Sequence, residues 1–146
     1  MRVYRIADGR YPLLDGMGAY LLGARWNSPG TRVVYGSLSY ACAMLEIFVH
    51  LGADRLPRHF VDVTLDLPDD LATETVALPD GWREKPHLTA DLGDEWAASG
   101  RTVALLVPSA VAKNETNVLL NPLHPDFNRV VASQPSQVSW DDRLFT

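Results

Sequence analysis

The feature that most constrains the fold is a nearly continuous apolar segment, SLSYACAMLEIFVHL, at residues 37–51. Apolar side chains lie on almost every side of its helical projection, which predicts a helix buried in the domain. Glu46 interrupts the segment, and an ionised carboxylate is seldom buried without hydrogen-bond donors or an opposite charge. The fold must therefore bring polar partners to Glu46.

Length and composition limit the classes of protein that fit. The chain has 146 residues with 47% hydrophobic and 21% charged side chains, which predicts a single globular domain over residues 1–146. Its apolar runs are too short to span a membrane, and the N-terminus MRVYRI lacks the apolar region of a signal peptide. Cys42 is the only cysteine, so no internal disulfide can form. These features favour a cytoplasmic protein with no membrane association.

The distribution of charge suggests one kind of ligand and argues against another. A net charge of −5 disfavours direct binding of nucleic acid. Residues 1–35 nevertheless hold five arginines and only two aspartates, and arginine recognises phosphate through its forked guanidinium. This segment could form an anion site for a small phosphorylated ligand, or its arginines could simply be scattered over the surface. Charge counts alone favour the second interpretation.

Hydrophobic periodicity and turn residues predict an α+β domain with mixed or antiparallel strands and few helices. One helix should begin after Ser37 or Ser39 and end near Gly52, and a second should cover residues 86–100. Residues 7–31 are rich in glycine and lack a period, so they are predicted to form a long loop. Strands are predicted at residues 2–6, 31–37, 59–67, 74–78, 101–108, 116–122 and 129–140.

Three interpretations of Glu46 are compatible with its place in the apolar helix. It lies four residues before His50, so both side chains occupy one helical face and could ligate a metal ion. The sequence shows no further ligands at metal-binding spacing, which weakens that interpretation. Glu46 could instead form an ion pair at the rim of the core, or it could be held rigidly at the floor of a polar cleft.

Two other segments carry residue types that bind ligands. In GARWNSPG, residues 23–30, Arg25 could grip an anion or could simply be solvated. Ser109 follows a predicted buried strand, and strand ends are where ligand-binding groups collect. There is no GxSxG motif around Ser109, so a hydrolase nucleophile is not predicted, and an ordinary loop explains the segment equally well.

Taken in order, the segments YRI, GARWNSPGTRVVYGS, AMLEIFVHL, VPSAV and NVLLNPLHPDF resemble the RES domain family, from about residue 2 to residue 145. That family is named after an Arg, a Glu and a Ser, which fall here on Arg25, Glu46 and Ser109. The glycine pair usual before the arginine is replaced here by Gly23 and Ala24.

The resemblance implies a fold similar to that of the ADP-ribosyltransferase toxins. It also implies the toxin of a bacterial type II toxin–antitoxin system, with an Xre-type helix-turn-helix antitoxin as partner in a multimeric complex. RES proteins consume NAD. Some pass ADP-ribose to water or phosphate and so deplete NAD, whereas others transfer it to a protein of nucleotide metabolism.

The resemblance also implies roles for individual residues, with NAD as substrate and no metal. Glu46 would stabilise the positive charge that develops on the ribose as nicotinamide leaves. Arg25 would bind the pyrophosphate, with Arg5 or Arg32 as a helper.

Three more residues complete the expected NAD site. Tyr35 would stack on or border the nicotinamide ring. Ser109 and Asn117 would supply hydrogen bonds to the nicotinamide ribose or to the pyrophosphate.

Overall fold

The elements follow the order expected from the sequence. The computed structural model describes residues 1–52 and 57–145, so the predicted domain extends beyond the described residues at 53–56 and at Thr146. The strands are β1 Arg2–Asp8, β2 Val34–Ser37, β3 Phe60–Asp66, β4 Thr73–Thr75, β5 Ala104–Pro108, β6 Thr116–Leu120, β7 Val131–Ala132 and β8 Ser136–Gln137. The α-helices are α1 Met17–Leu22, α2 Tyr40–Leu51 and α3 Pro86–Ser99, and 3₁₀ turns cover Trp82–Glu84, Pro125–Arg129 and Asp142–Phe145.

The strands form one mixed sheet, which confirms the predicted α+β class. Their order is β4-β5-β6-β2-β1-β3-β7, and β8 also pairs with β3. The pair β4–β5 is parallel, and the other pairs of the described sheet are antiparallel. The strand before Ser109, β5, is largely buried as predicted, and it lies between β4 and β6.

Alternation along the strands divides the core between the two faces of the sheet. Val34, Val118 and Leu120 point to one face, where they join the largest buried apolar cluster. The residues that alternate with them along each strand point to the other face, which carries two smaller apolar clusters. One surrounds Trp26 and Trp96, and the other lies under α2. On this second face, a gap therefore separates the two smaller apolar clusters.

Helix α2 has the predicted boundaries. The Ser39 side chain accepts a hydrogen bond from the backbone N–H of Cys42 at 3.0 Å, and Gly52 ends the helix with a φ of 81°. The helix packs on β1 and β2. The prediction of burial on nearly all sides was wrong, because Leu45 and Val49 are exposed. The sheet covers only one side of this apolar helix.

Two regions differ from the predictions. The expected long loop contains α1, which follows Gly16 in a left-handed conformation and has only six residues. Such a short helix shows no periodicity and depends on tertiary contacts. The predicted strand at 129–140 is reduced to the two short strands β7 and β8. In the described ranges, no helix is long and apolar enough to cross a membrane.

Helix α3 fixes the segment that contains Arg25. The Thr89 hydroxyl donates a hydrogen bond to the backbone carbonyl of Arg25 at 2.6 Å. One helical turn later, Gly93 lies so close to the carbonyl of Trp26 that a Cβ atom would overlap it. Asp94 accepts a hydrogen bond from the backbone N–H of Ser28 at 2.9 Å. One face of α3 therefore holds residues 25–28 against the sheet.

We expect Gly93→Ala to lower the free energy of unfolding by at least about 2 kcal/mol, because the added methyl group must displace backbone atoms. Urea denaturation measures this change. Gly18→Ala in α1 is the matched control, since nothing lies within 4 Å of its added Cβ, and we expect it to be neutral or stabilising. Equal stability of the Gly93→Ala variant and the native protein would contradict the close approach.

Candidate active site

A cavity of about 370 Å³ occupies the gap between the two smaller clusters. Its size lies within the range of small-molecule sites. Strands β1, β2 and β6, helix α2, residues 24–26 and residues 110–111 all contribute to its wall. Of the site residues predicted from the sequence, Arg25, Tyr35, Glu46, Asn117 and the candidate helper Arg5 line this cavity. The structure thus brings together side chains from distant parts of the chain.

Glu46 is held by two neutral donors. Its Oε1 atom accepts hydrogen bonds from the Ser109 hydroxyl at 2.7 Å and from the Asn117 amide nitrogen at 2.8 Å. In the part of the chain that the structure describes, Oε2 has no hydrogen-bond partner and Glu46 forms no ion pair. The rim ion pair, one of the three interpretations of Glu46, is therefore absent from the described residues. The carboxylate is instead fixed at one oxygen and available at the other.

Ser109 supports Glu46 from behind. It is 1% exposed and is not among the cavity-lining residues. Its oxygen accepts hydrogen bonds from the backbone N–H groups of Val111 and Ala112, at 3.1 and 3.0 Å. Because these groups can only donate to it, the hydroxyl proton is free to point at Glu46. The resemblance identified Ser109, but only the folded chain shows that its hydroxyl is bonded to Glu46.

Arg25 stands at the cavity wall next to an indole ring. Its Nη1 atom donates to the carbonyl of Arg83 at 3.1 Å, and its guanidinium carbon lies 6.0 Å from the centre of the Trp82 ring. The remaining N–H groups of the fork are available to an anion. The sequence did not single out Trp82, which follows the turn residues PDG and lies outside the five segments that carry the family resemblance.

Tyr35 has a structural task in addition to lining the cavity. Its hydroxyl donates to Asn27 Oδ1 at 2.7 Å and accepts from the backbone N–H of Trp26 at 3.2 Å. Burial raises the pKa of Tyr35 far above its ordinary value, so the hydroxyl stays protonated. Asn27 is itself buried, and its Nδ2 group shares its two hydrogens among three backbone carbonyls within hydrogen-bond distance. These bonds make the segment next to Arg25 rigid.

A second arginine, Arg5, lines the cavity. Its Nε and Nη1 atoms donate to the carbonyls of Leu13 and Tyr35, at 2.7 and 2.9 Å. Burial lowers its pKa to about 10, an effect that the negative charge of Asp15 partly opposes. Because neutral carbonyl groups hold the Arg5 side chain, no hydrogen-bonded carboxylate in the described part of the chain offsets its positive charge, which is available to an anion in the cavity.

Arg32, the other candidate helper, is placed elsewhere. It donates to the carbonyl of Asp15 at 3.3 Å and covers the Tyr20 ring, 5.7 Å from its centre. It is not among the residues that line the cavity. The geometry therefore favours Arg5 over Arg32 as the partner of Arg25.

His50 also lines the cavity, one helical turn after Glu46. Within residues 1–52 and 57–145, no group of three or more His, Cys, Asp or Glu residues is arranged to hold a metal ion.

Comparison with known proteins connects this geometry to a family. The RES domain model matches residues 2–141. The chain belongs to the RES domain family. One relative of this RES domain is the Prs ADP-ribosylating toxin of Sphingobium sp. strain YBL2, with 41% identity over 90% of this chain and 86% of the relative. Toxin Res of Photorhabdus laumondii is 34% identical over 90% and 88% of the two chains.

The fold of this RES domain also occurs in a solved complex. A chain of the Mycobacterium tuberculosis MbcT–MbcA toxin–antitoxin complex superimposes with a TM-score of 0.73 and 19% identity. The match covers 94% of this chain and 84% of the other. The two proteins therefore share their fold.

Proposed function

We propose that this RES domain is the toxin of a toxin–antitoxin pair and that it breaks the nicotinamide–ribose bond of NAD. The observation that carries the proposal is the placement of Glu46, a fixed carboxylate with one available oxygen, in a cavity that also contains Arg25 and Arg5. The negative charge of Glu46 suits the cation that develops on the ribose of NAD. The positive charges of Arg25 and Arg5 suit its pyrophosphate. The names of the relatives agree with this proposal.

The chemistry explains why one carboxylate is sufficient. When the bond between C1′ and the pyridinium nitrogen breaks, its electron pair stays on the nitrogen and nicotinamide leaves as a neutral base. This leaving group needs no proton, unlike that of an ordinary glycoside. The positive charge spreads over C1′ and the ring oxygen of the ribose, where Glu46 stabilises it. Because Ser109 and Asn117 already hold the carboxylate, little reorganisation is needed during the reaction.

The arginines act on the other end of the substrate. Arg25 offers its free N–H groups to the pyrophosphate, and Arg5 adds a second positive charge from the sheet. These contacts exist before and during bond breaking, so they contribute mainly to binding. Tyr35 borders the cavity with its ring, while its hydroxyl keeps the Arg25 segment in place.

Two acceptors of ADP-ribose are considered. With water or phosphate, an oxygen of the acceptor bonds to C1′ and a proton is released to solvent. This reaction requires no further protein surface, and it would deplete NAD. Transfer to a protein side chain is the second candidate, and the name of the 41% identical Sphingobium relative, an ADP-ribosylating toxin, favours it. Both reactions use the same bond-breaking step.

The proposed partner is an antitoxin that covers the cavity. Support comes from the shared fold with a chain of a toxin–antitoxin complex. An Xre-type helix-turn-helix antitoxin and a multimeric assembly remain predictions from the family resemblance.

We expect Glu46→Gln to reduce nicotinamide release from NAD by at least about 100-fold, because the charge is lost while the shape and both hydrogen bonds to Oε1 are kept. Chromatography of nicotinamide measures the rate, and circular dichroism checks the fold. Glu115→Gln is the matched control, since Glu115 bonds Ser39 and does not line the cavity. Undiminished release by a folded Glu46→Gln variant would exclude this role.

Arg25→Ala should raise KM for NAD about tenfold or more with a smaller change in kcat, because a contact made in both the ground state and the transition state is lost. Arg32→Ala should leave both constants unchanged, since Arg32 lies outside the cavity wall. Initial rates over a range of NAD concentrations give both values. Unchanged kinetics of Arg25→Ala would remove Arg25 from the binding site.

The acceptor can be identified with NAD labelled in its adenylate part, incubated with the protein and a cell extract, with and without phosphate. We expect free labelled ADP-ribose without phosphate and its 1-phosphate when phosphate is present. Label that remains on a protein after denaturation would instead establish the transferase. Loss of every product in the Glu46→Gln variant is the control that assigns them to this cavity.

A further inference from the structure

We propose that Ser37 is a positioning residue that orients the Asn117 amide so that its nitrogen faces Glu46. The inference rests on the proposed function, because it assigns Ser37 to the support of the reacting carboxylate. Ser37 is not one of the three residues, Arg25, Glu46 and Ser109, that correspond to the name of the RES domain family. It acts through Asn117.

The sheet register brings Ser37 and Asn117 together. The two residues are direct partners in the antiparallel pair β2–β6, so their side chains point to the same face of the sheet. Ser37 is 2% exposed, and its Oγ lies 2.6 Å from Asn117 Oδ1. The hydroxyl and the amide are thus held in contact by the backbone of both strands.

The direction of each hydrogen bond follows from Glu46. An ionised carboxylate can only accept, so the Asn117 atom that faces Glu46 Oε1 must be the amide nitrogen, at 2.8 Å. The amide oxygen must then point the other way, where it accepts from Ser37. A flipped amide would place its oxygen against the carboxylate and its N–H groups against Ser37. Glu46 excludes the flipped amide, and the Ser37 hydroxyl donates to the amide oxygen and so holds the amide in the productive orientation.

Cys42 provides a weaker second donor to the same atom. Its Sγ lies 3.6 Å from Asn117 Oδ1, and burial raises the pKa of the thiol, so it remains protonated. A thiol is a much weaker donor than a hydroxyl. Glu46 sets which amide atom faces it, and Ser37 is the main donor that holds the amide oxygen in the resulting orientation. Cys42 would retain part of this hold in the absence of Ser37.

The test is a graded series at position 37. Relative to the native protein, Ser37→Ala should lower kcat for nicotinamide release about tenfold and leave KM for NAD within about twofold, because a hydrogen bond to a charged group is weakened. Ser37→Cys, of similar size but with a weak donor, should give an intermediate kcat. Equal kcat values in the Ser, Cys and Ala proteins would overturn the proposal.

Ser39→Ala is the matched control. Ser39 is the N-cap of α2 and bonds Glu115, and within the described residues it forms no hydrogen bond with Asn117. We expect this variant to lose thermal stability and to keep its kcat at 25 °C. If Ser39→Ala reduced kcat as much as Ser37→Ala does, seating of the helix would be the cause and the proposal would be wrong.

A double-mutant cycle shows whether Ser37 acts through Asn117. In an Asn117→Ala background, Ser37→Ala should have no further effect on kcat, because the group that it orients is gone. Independent, multiplicative effects of the two substitutions would contradict the proposal.

A measurement without substrate separates this inference from the proposed function. In ¹⁵N-labelled protein, the side-chain amide protons of Asn117 should be protected from exchange with water in the native chain and less protected in Ser37→Ala. Unchanged protection in Ser37→Ala would overturn the orienting role. A native protein that releases no nicotinamide but shows this change would overturn only the proposed function.

Discussion

The pair of hydrogen bonds to Glu46 Oε1 is the interaction on which the site depends. A helix that is apolar on most sides supplies the carboxylate, strand β6 supplies the donor Asn117, and the residue that follows β5 supplies the donor Ser109. Neither donor carries a charge, so these hydrogen bonds hold the Glu46 carboxylate without offsetting its negative charge. An ion pair in the same place would have offset the charge of the carboxylate, which the proposed stabilisation of a developing cation requires.

The two walls of the cavity are built differently. On one side, α2 is seated by apolar packing and by its caps at Ser39 and Gly52. On the other side, the Arg25 segment has irregular backbone. Its rigidity comes from hydrogen bonds in which Tyr35 accepts and Thr89 and Asn27 donate. This difference explains why α3, which contributes no residue to the cavity wall, matters for the site. It holds in place residues 25–28, which include the arginine proposed to bind the pyrophosphate.

Sequence reasoning recovered the elements that have a strong local signal. Helix α2 shows a clear cap and a terminal glycine, and β3 shows alternation, so both were predicted within one or two residues. Helix α1 was missed because six residues cannot display a period. The exposure of Leu45 and Val49 was also missed, since the apolar pattern does not say how far the sheet extends over a helix.

By itself, the sequence determined the α+β class, the position of Glu46 on an apolar helix and, through five ordered segments, the family. The tertiary structure alone decided which polar groups reach Glu46. Ser109 and Asn117 are 63 and 71 residues away along the chain, and pairing of β2, β5 and β6 brings them there. The tertiary structure also placed Arg5, and not Arg32, at the cavity wall, and it paired Ser37 with Asn117 across β2 and β6. Such contacts depend on which strands pair across the sheet, and no local pattern specifies the pairing of strands that are far apart in the chain.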